Sequence, residues 1–233
     1  MQTKNVQIDA GGGEAFGAYV SVPDKPNGRA IVVLQEIFGV TPHIREVADR
    51  YAAEGYLAIA PDLFWRVELG LSLSHSKEDM QRAFSILGKF SETLGIQDTD
   101  HAVTYAKAQL GIDEVAIVGM CLGGKLAYLA AAMVPVAACL SFYGVGIEKN
   151  LVEAANIKAP LLMFFGGKDK YASQAVREQI EKAVAGKKNV ALRVYEEADH
   201  GFYTRGDPEV IRLAHAEALA FLDKNMASKG VGA

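Results

Sequence analysis

Apolar residues recur along the chain as short runs and as helical faces. Residues 3–8 (TKNVQI) and 15–22 (AFGAYVSV) flank Gly11-Gly12-Gly13 and predict a hairpin. Residues 29–35 (RAIVVLQ) form a continuous β-branched run, the pattern of a strand buried on both faces. Thr41-Pro42 pairs a capping residue with a proline at the first helical position. Ile44, Val47, Ala48 and Tyr51 then share one face, and Gly55 ends the helix. Residues 56–60 predict the next strand, broken by Pro61-Asp62, and 64–76 is irregular. Helices are predicted over 77–93 and 98–109, the second closed by Gly111. Further strands are predicted at 114–118, 136–142, 160–165 and 190–195. Helices are predicted over 122–133, from Ser173 to Val184, and from Asp207-Pro208 to Asn225. Strands alternating with helices predict an α/β fold, a mostly parallel sheet with helices on both faces. In such sheets ligand chemistry sits outside the carboxyl ends of the strands.

A length of 233 residues suits one domain, 1–233, with a flexible tail from residue 227. Half the residues are hydrophobic and 22% are charged, which excludes a disordered chain. The formal charge is -4 and no basic run exceeds Lys187-Lys188, so nucleic-acid binding is not expected. An anionic small substrate stays open. Two cysteines, Cys121 and Cys139, exclude a disulfide scaffold and fit a reducing compartment. Met1 to Ala10 has no apolar core of a secretory signal. The uncharged stretch Leu126 to Ile147 contains Pro135, Ser141, Gly144 and Gly146, and reads as a buried helix then a buried strand, not a membrane span. A soluble, cytoplasmic monomer is expected.

The predicted strand 114–118 runs into Gly119-Met120-Cys121-Leu122-Gly123, and a helix follows. G-x-C-x-G between strand and helix is the nucleophile elbow of α/β-hydrolases, with cysteine in place of serine. The turn brings backbones together, so Cβ atoms at 119 and 123 would clash. The helix N-terminus aims its dipole at the sulfur, which favours thiolate, and the Leu122 N–H supplies half of an oxyanion hole. A buried structural cysteine in a glycine-rich turn is the competing reading. Cys139, inside an apolar strand, reads as structural. Gly119 to Lys125 also spells most of a P-loop, but Leu126 stands where Ser or Thr would bind magnesium.

His200 follows the last predicted strand, where this architecture places its general base. His43, His101 and His215 fall on predicted helices among polar neighbours, and His75 in a loop. No pair has metal-binding spacing. The orienting acid belongs between nucleophile and base in chain order. Asp169, in Gly166-Gly167-Lys168-Asp169 after the strand 160–165, fits that place. A turn-forming or capping Asp is the alternative. Asp199 fits poorly, because adjacent side chains diverge.

The chain resembles the dienelactone hydrolase (carboxymethylenebutenolidase) family. The resemblance rests on Gln35-Glu36-Ile37-Phe38-Gly39, Pro61-Asp62-Leu63, Gly119 to Gly124, Tyr143-Gly144-Val145-Gly146 and Glu196 to His200. It implies an α/β-hydrolase fold and a Cys-His-Asp hydrolase that needs no metal or organic cofactor. Its substrate would be a lactone of the chlorocatechol branch of aromatic degradation, opened to maleylacetate. It further implies that Glu36 contacts the resting thiol and moves when substrate binds, a solvated loop carboxylate being the plainer reading of Glu36. Ile37 would give the second oxyanion N–H, and Phe38 and Tyr143 would contact substrate. Two arginines hold the substrate carboxylate in this family. Arg82 matches the first. At the second position stands Thr204, with Arg205 one residue beyond. Ile86 and Lys89 replace an aromatic pair, and Gly201 replaces a small polar residue after the histidine. A general carboxylesterase or another lactonase with the same triad is the alternative within this chemistry. A non-catalytic binding protein of the same fold is the alternative outside it.

Overall fold

The computed structural model describes residues 1–227, in two compact units, residues 1–115 and 116–227. Apart from Ala227, the tail expected from residue 227 lies outside the described residues.

In the first unit, β1 (Gln2–Gly11) and β2 (Glu14–Val22) form the predicted hairpin, with Gly11, Gly12 and Gly13 all at positive φ in its turn. Such a turn admits little but glycine. β2 then pairs antiparallel with β4 (Leu57–Pro61), and β4 pairs parallel with β3 (Arg29–Leu34). Every residue of β3 and β4 is buried, as the unbroken apolar runs require. Between them lies α1 (Pro42–Ala53). Its cap is Thr41, whose side chain accepts from the Ile44 N–H, and its buried face includes Ile44, Val47, Ala48 and Tyr51.

The next helices depart from the periodicity. The predicted helix over 77–93 ends early, as α2 (Lys77–Leu87), and the one predicted from 98 begins early, as α3 (Glu92–Leu110). The cause is local. The Ser91 hydroxyl accepts from the Leu94 N–H and starts a new helix. Phe90 folds over Gly95, where a Cβ would lie 2.4 Å from its ring. Gly95, between the two predicted helices, is the seat of an aromatic side chain.

β5 (Glu114–Met120) leads into the second unit, followed by α4 (Leu122–Met133), β6 (Ala138–Phe142), β7 (Leu161–Gly166), α5 (Gln174–Ala183), β8 (Val190–Tyr195), α6 (Phe202–Arg205) and α7 (Pro208–Asn225). β6 begins two residues later than predicted. After Pro135 the Val136 N–H turns back to the Val134 carbonyl instead of joining a ladder. Two short elements escaped the pattern, a 3-10 helix over Ile147–Asn156 and the four-residue α6. The strands β5, β6, β7 and β8 pair in parallel and in chain order. Met120 stands opposite Phe142, Phe142 opposite Phe164, and Gly166 opposite Tyr195. The four strands therefore end together, and the loops that leave them share one edge. No helix among the described residues is long and apolar enough to cross a membrane.

Backbone packing at the end of β5 is tight. A Cβ on Gly119 would lie 1.9 Å from the Gly123 carbonyl oxygen, a backbone atom that cannot swing away. Gly119→Ala is therefore expected to destabilise the protein by more than about 2 kcal/mol in urea unfolding. A loss under about 0.5 kcal/mol would show that the turn tolerates the methyl group.

Candidate active site

Cys121 joins β5 to α4 with φ 56 and ψ −112. A non-glycine residue there stores roughly 1–3 kcal/mol of strain, and surrounding bonds must hold it. The Cys121 N–H donates to the Phe142 carbonyl at 3.0 Å. Its own carbonyl accepts from the Lys125 and Val145 N–H groups at 3.2 and 3.3 Å. Gly124 permits this approach, since a Cβ there would lie 2.6 Å from the Phe142 oxygen and 2.8 Å from Gly144 Cα. Cys121 is buried, at 8% exposure. Leu122 opens α4, so its N–H points out of the helix start. Cys139 is fully buried in β6, and burial pushes its thiol above the usual range. The two cysteines thus occupy different environments, a strained turn at a strand end and a strand interior.

Asp169 and His200 meet because Gly166 ends β7 and Gly167 follows it. A Cβ on Gly166 would lie 2.4 Å from the Ala198 oxygen, and one on Gly167 would lie 2.2 Å from the Glu196 oxygen. Their absence lets the loop after β8 lie directly on the end of β7. The Gly167 N–H donates to the Tyr195 carbonyl at 2.8 Å, and the Lys168 N–H to the Ala198 carbonyl at 3.0 Å. His200 Nδ1 then stands 2.8 Å from Asp169 Oδ2. The other oxygen, Oδ1, accepts the Tyr171 N–H at 2.7 Å and the Ala172 N–H at 3.1 Å. Burial is the largest single influence on this carboxyl and pushes its pKa up. The bond to His200, the charge of that ring and the Ala172 and Tyr171 N–H bonds together outweigh it and hold Asp169 below the ordinary range. An ionised Asp169 at Nδ1 selects the tautomer with a proton there and leaves Nε2 for chemistry.

Tyr143, the first residue after β6, has φ 39 and is fully buried. Its ring centroid lies 4.8 Å from that of His200. Its hydroxyl donates to Thr204 Oγ1 at 3.2 Å. The same oxygen accepts from Arg205 Nη1 at 2.9 Å and donates to the Gly201 carbonyl at 3.0 Å. Gly201, at φ 82, has the Arg205 guanidinium where a side chain would be, since a Cβ there would lie 2.4 Å from Nη2. Thr204 and Gly201, the two departures next to the histidine, are therefore linked. One supplies the oxygen that holds Arg205 and the other supplies the space. Tyr171, whose ring centroid is 4.9 Å from that of His200, was missed by sequence reasoning.

The first unit holds the other sequence candidates. Gln35 Oε1 accepts from the Leu63 N–H at 3.1 Å, linking two matched sequence segments. Glu36 is buried, at 1% exposure, and Ile37 and Phe38 are buried beside it. Gly39 turns the chain at φ 85, with room for no Cβ because the Leu71 oxygen would be 1.9 Å away. His75, assigned only to a loop from sequence, places Nε2 4.0 Å from Glu36 Oε2 and its ring 4.2 Å from that of Phe38. Arg82 pairs with Glu68, both well exposed. Within the second unit, then, Asp169, His200 and Tyr143 come together with Arg205 beside Gly201. Cys121 is tied to their neighbourhood through the Phe142 carbonyl.

The model of the Dienelactone hydrolase family matches residues 16–226. A carboxymethylenebutenolidase from Pseudomonas sp. (strain P51) is 36% identical, over 96% of this chain and 96% of its own length. One from Pseudomonas putida is 35% identical, over 94% of this chain and 93% of its own. A crystal structure from Klebsiella pneumoniae subsp. pneumoniae MGH 78578, named as a putative dienelactone hydrolase, superposes with a TM-score of 0.81. It is 29% identical and covers 96% of this chain and 100% of that one.

The lowered pKa of Asp169 carries a sign. Its ionised form is favoured by folding, so its contribution is present above the unfolded value and is lost as pH falls through the lower folded one. The stability difference between wild type and Asp169→Asn in urea should therefore shrink from pH 6 to about pH 3. A difference that stayed constant would show that the carboxylate charge contributes nothing.

Proposed function

The chain belongs to the dienelactone hydrolase family and hydrolyses ester or lactone bonds; we propose that it opens a carboxylate-bearing dienelactone to maleylacetate through a thioester on Cys121. The observation that carries this reading is the 2.8 Å bond between His200 Nδ1 and Asp169 Oδ2, at the same sheet edge as the Cys121 turn. It is the arrangement a general base needs beside a nucleophile.

The steps balance with water as the second reactant. His200 Nε2 takes the thiol proton as Cys121 Sγ attacks the lactone carbonyl. The oxyanion is held by the Leu122 N–H and, following the family resemblance, by the Ile37 N–H. As the carbonyl reforms, the ring C–O bond breaks and the enol oxygen leaves with a proton from His200. The enol becomes a ketone by tautomerisation. His200 then removes a proton from water as it attacks the thioester, and Cys121 Sγ leaves, regaining its proton. Asp169 keeps the imidazole in one tautomer throughout.

The substrate's carboxylate would meet Arg205, whose guanidinium lies beside Gly201, one residue from the base. A bidentate arginine contact fits a planar carboxylate. Phe38 and Tyr143 would line the substrate. Glu36 would act on the resting thiol, a role that rests on the resemblance alone. A second reading, a carboxylesterase or lactonase of different preference, is favoured by Arg82, whose guanidinium is already paired with Glu68.

Hydrolysis of cis- and trans-dienelactone, followed by loss of ultraviolet absorbance, tests the proposal. Cys121→Ala should lower turnover by at least about 10³-fold. Full activity in that variant would remove the nucleophile. Cleavage of a p-nitrophenyl ester that depends on Cys121, without turnover of either lactone, would move the enzyme to the second reading. Arg205→Met should raise KM for the lactones and leave KM for a neutral ester unchanged.

A further inference from the structure

Tyr171 sits two residues after Asp169 and is 54% exposed. An aromatic ring so placed does little for the core, so its position calls for another explanation. Its ring centroid lies 4.9 Å from that of His200 with the planes at 63°. The buried Tyr143 makes a matching contact at 4.8 Å and 67°. Edge contacts of this kind are favourable and directional.

The two tyrosines differ in what fixes them. Tyr143 is locked by burial and by its bond to Thr204. Tyr171 is fixed through its backbone, whose N–H donates to Asp169 Oδ1 at 2.7 Å. One residue thus supplies a backbone donor to the acid and a ring to the base. The bond to Asp169 anchors one nitrogen of the imidazole but does not by itself stop the ring from rocking about that anchor, and Tyr143 braces it from the buried side. Nε2, the atom that must exchange protons, moves most in such rocking. Other groups nearby are Arg205, beside Gly201, and Asp199, adjacent in sequence. The Lys168–Glu197 pair lies on the two loops that bring the acid and base together.

We propose that Tyr171 is a positioning residue, whose ring holds the His200 imidazole in the orientation that directs Nε2 to the reacting atoms. The proposal rests on the reading of His200 as general base. Because the N–H bond to Asp169 is a backbone bond, a side-chain substitution at 171 removes the ring and keeps that bond.

Tyr171→Leu, Tyr171→Phe and His200→Gln would be compared with wild type on p-nitrophenyl acetate and both dienelactones, with rates scaled to titrated Cys121 thiol. Tyr171→Leu is expected to lower kcat about 3- to 10-fold with KM within about twofold, and Tyr171→Phe to match wild type. An unchanged kcat in Tyr171→Leu overturns the proposal. So does a rise in KM at constant kcat, which would make the ring a substrate contact. An equal loss in Tyr171→Phe also overturns it, because the hydroxyl would then carry the effect. His200→Gln separates the two levels. If it keeps the wild-type rate, the reading of the base fails. If it loses the rate while Tyr171→Leu does not, only the role of Tyr171 fails.

Discussion

At Gly166, the last residue of β7, and at Gly167 after it, the backbone of residues 196–199 lies so close that no Cβ fits between them. Much of the second unit's site depends on that approach. It brings the loop after β8 onto the end of β7, and so brings His200 to Asp169. A side chain at either glycine would push the loops apart by more than a hydrogen bond can span. The same device recurs at Gly119 and Gly124, which seat the Cys121 turn against its own helix and against the loop after β6. Backbone packed on backbone has little freedom to rearrange. It supplies the rigidity that a strained residue at φ 56 needs in order to persist.

Parallel strands of matched register provide the second requirement. Met120, Phe142 and Phe164 form a row across β5, β6 and β7, and the Gly166–Tyr195 pair continues the same edge at β8. Neighbouring strands are about 4.8 Å apart. Residues that follow them are therefore delivered within side-chain reach of one another, although they are far apart in sequence. This is why Cys121, Asp169 and His200, spread over about 80 positions of the chain, follow strand ends on one edge of the sheet. Electrostatics acts on that frame. Burial of Asp169 works against its charge, and the imidazole and two backbone donors restore it.

Much of this was legible in the sequence because it was written in periodicity and punctuation. The β-branched run 29–35, the Thr41-Pro42 start and the Asp207-Pro208 start were all visible as patterns. G-x-C-x-G marked the elbow, and chain order pointed to Asp169 and His200. What escaped depended on contacts between distant residues or on missing Cβ atoms. Phe90 seated on Gly95 splits two helices that the apolar spacing alone had placed differently. Thr204 and Gly201 looked like independent departures from the family pattern, yet together they house Arg205. Tyr171 gave no signal at all, because its value comes from a turn around Asp169 that only the folded loop reveals. His75 carried no signal beyond its place in a loop, and the fold sets its ring beside Glu36 and Phe38.

The central claim is that the scissile acyl group passes through the sulfur of Cys121. Trapping that intermediate tests it most directly. Wild type and His200→Gln would be mixed with dienelactone, quenched in acid within the first turnover, and measured as intact protein and as peptides. A lactone loses no fragment when its ring opens, so the account predicts a mass gain equal to the whole lactone, carried by the peptide that contains Cys121. A turnover-competent enzyme with no such adduct, or with the adduct on another residue, would contradict it.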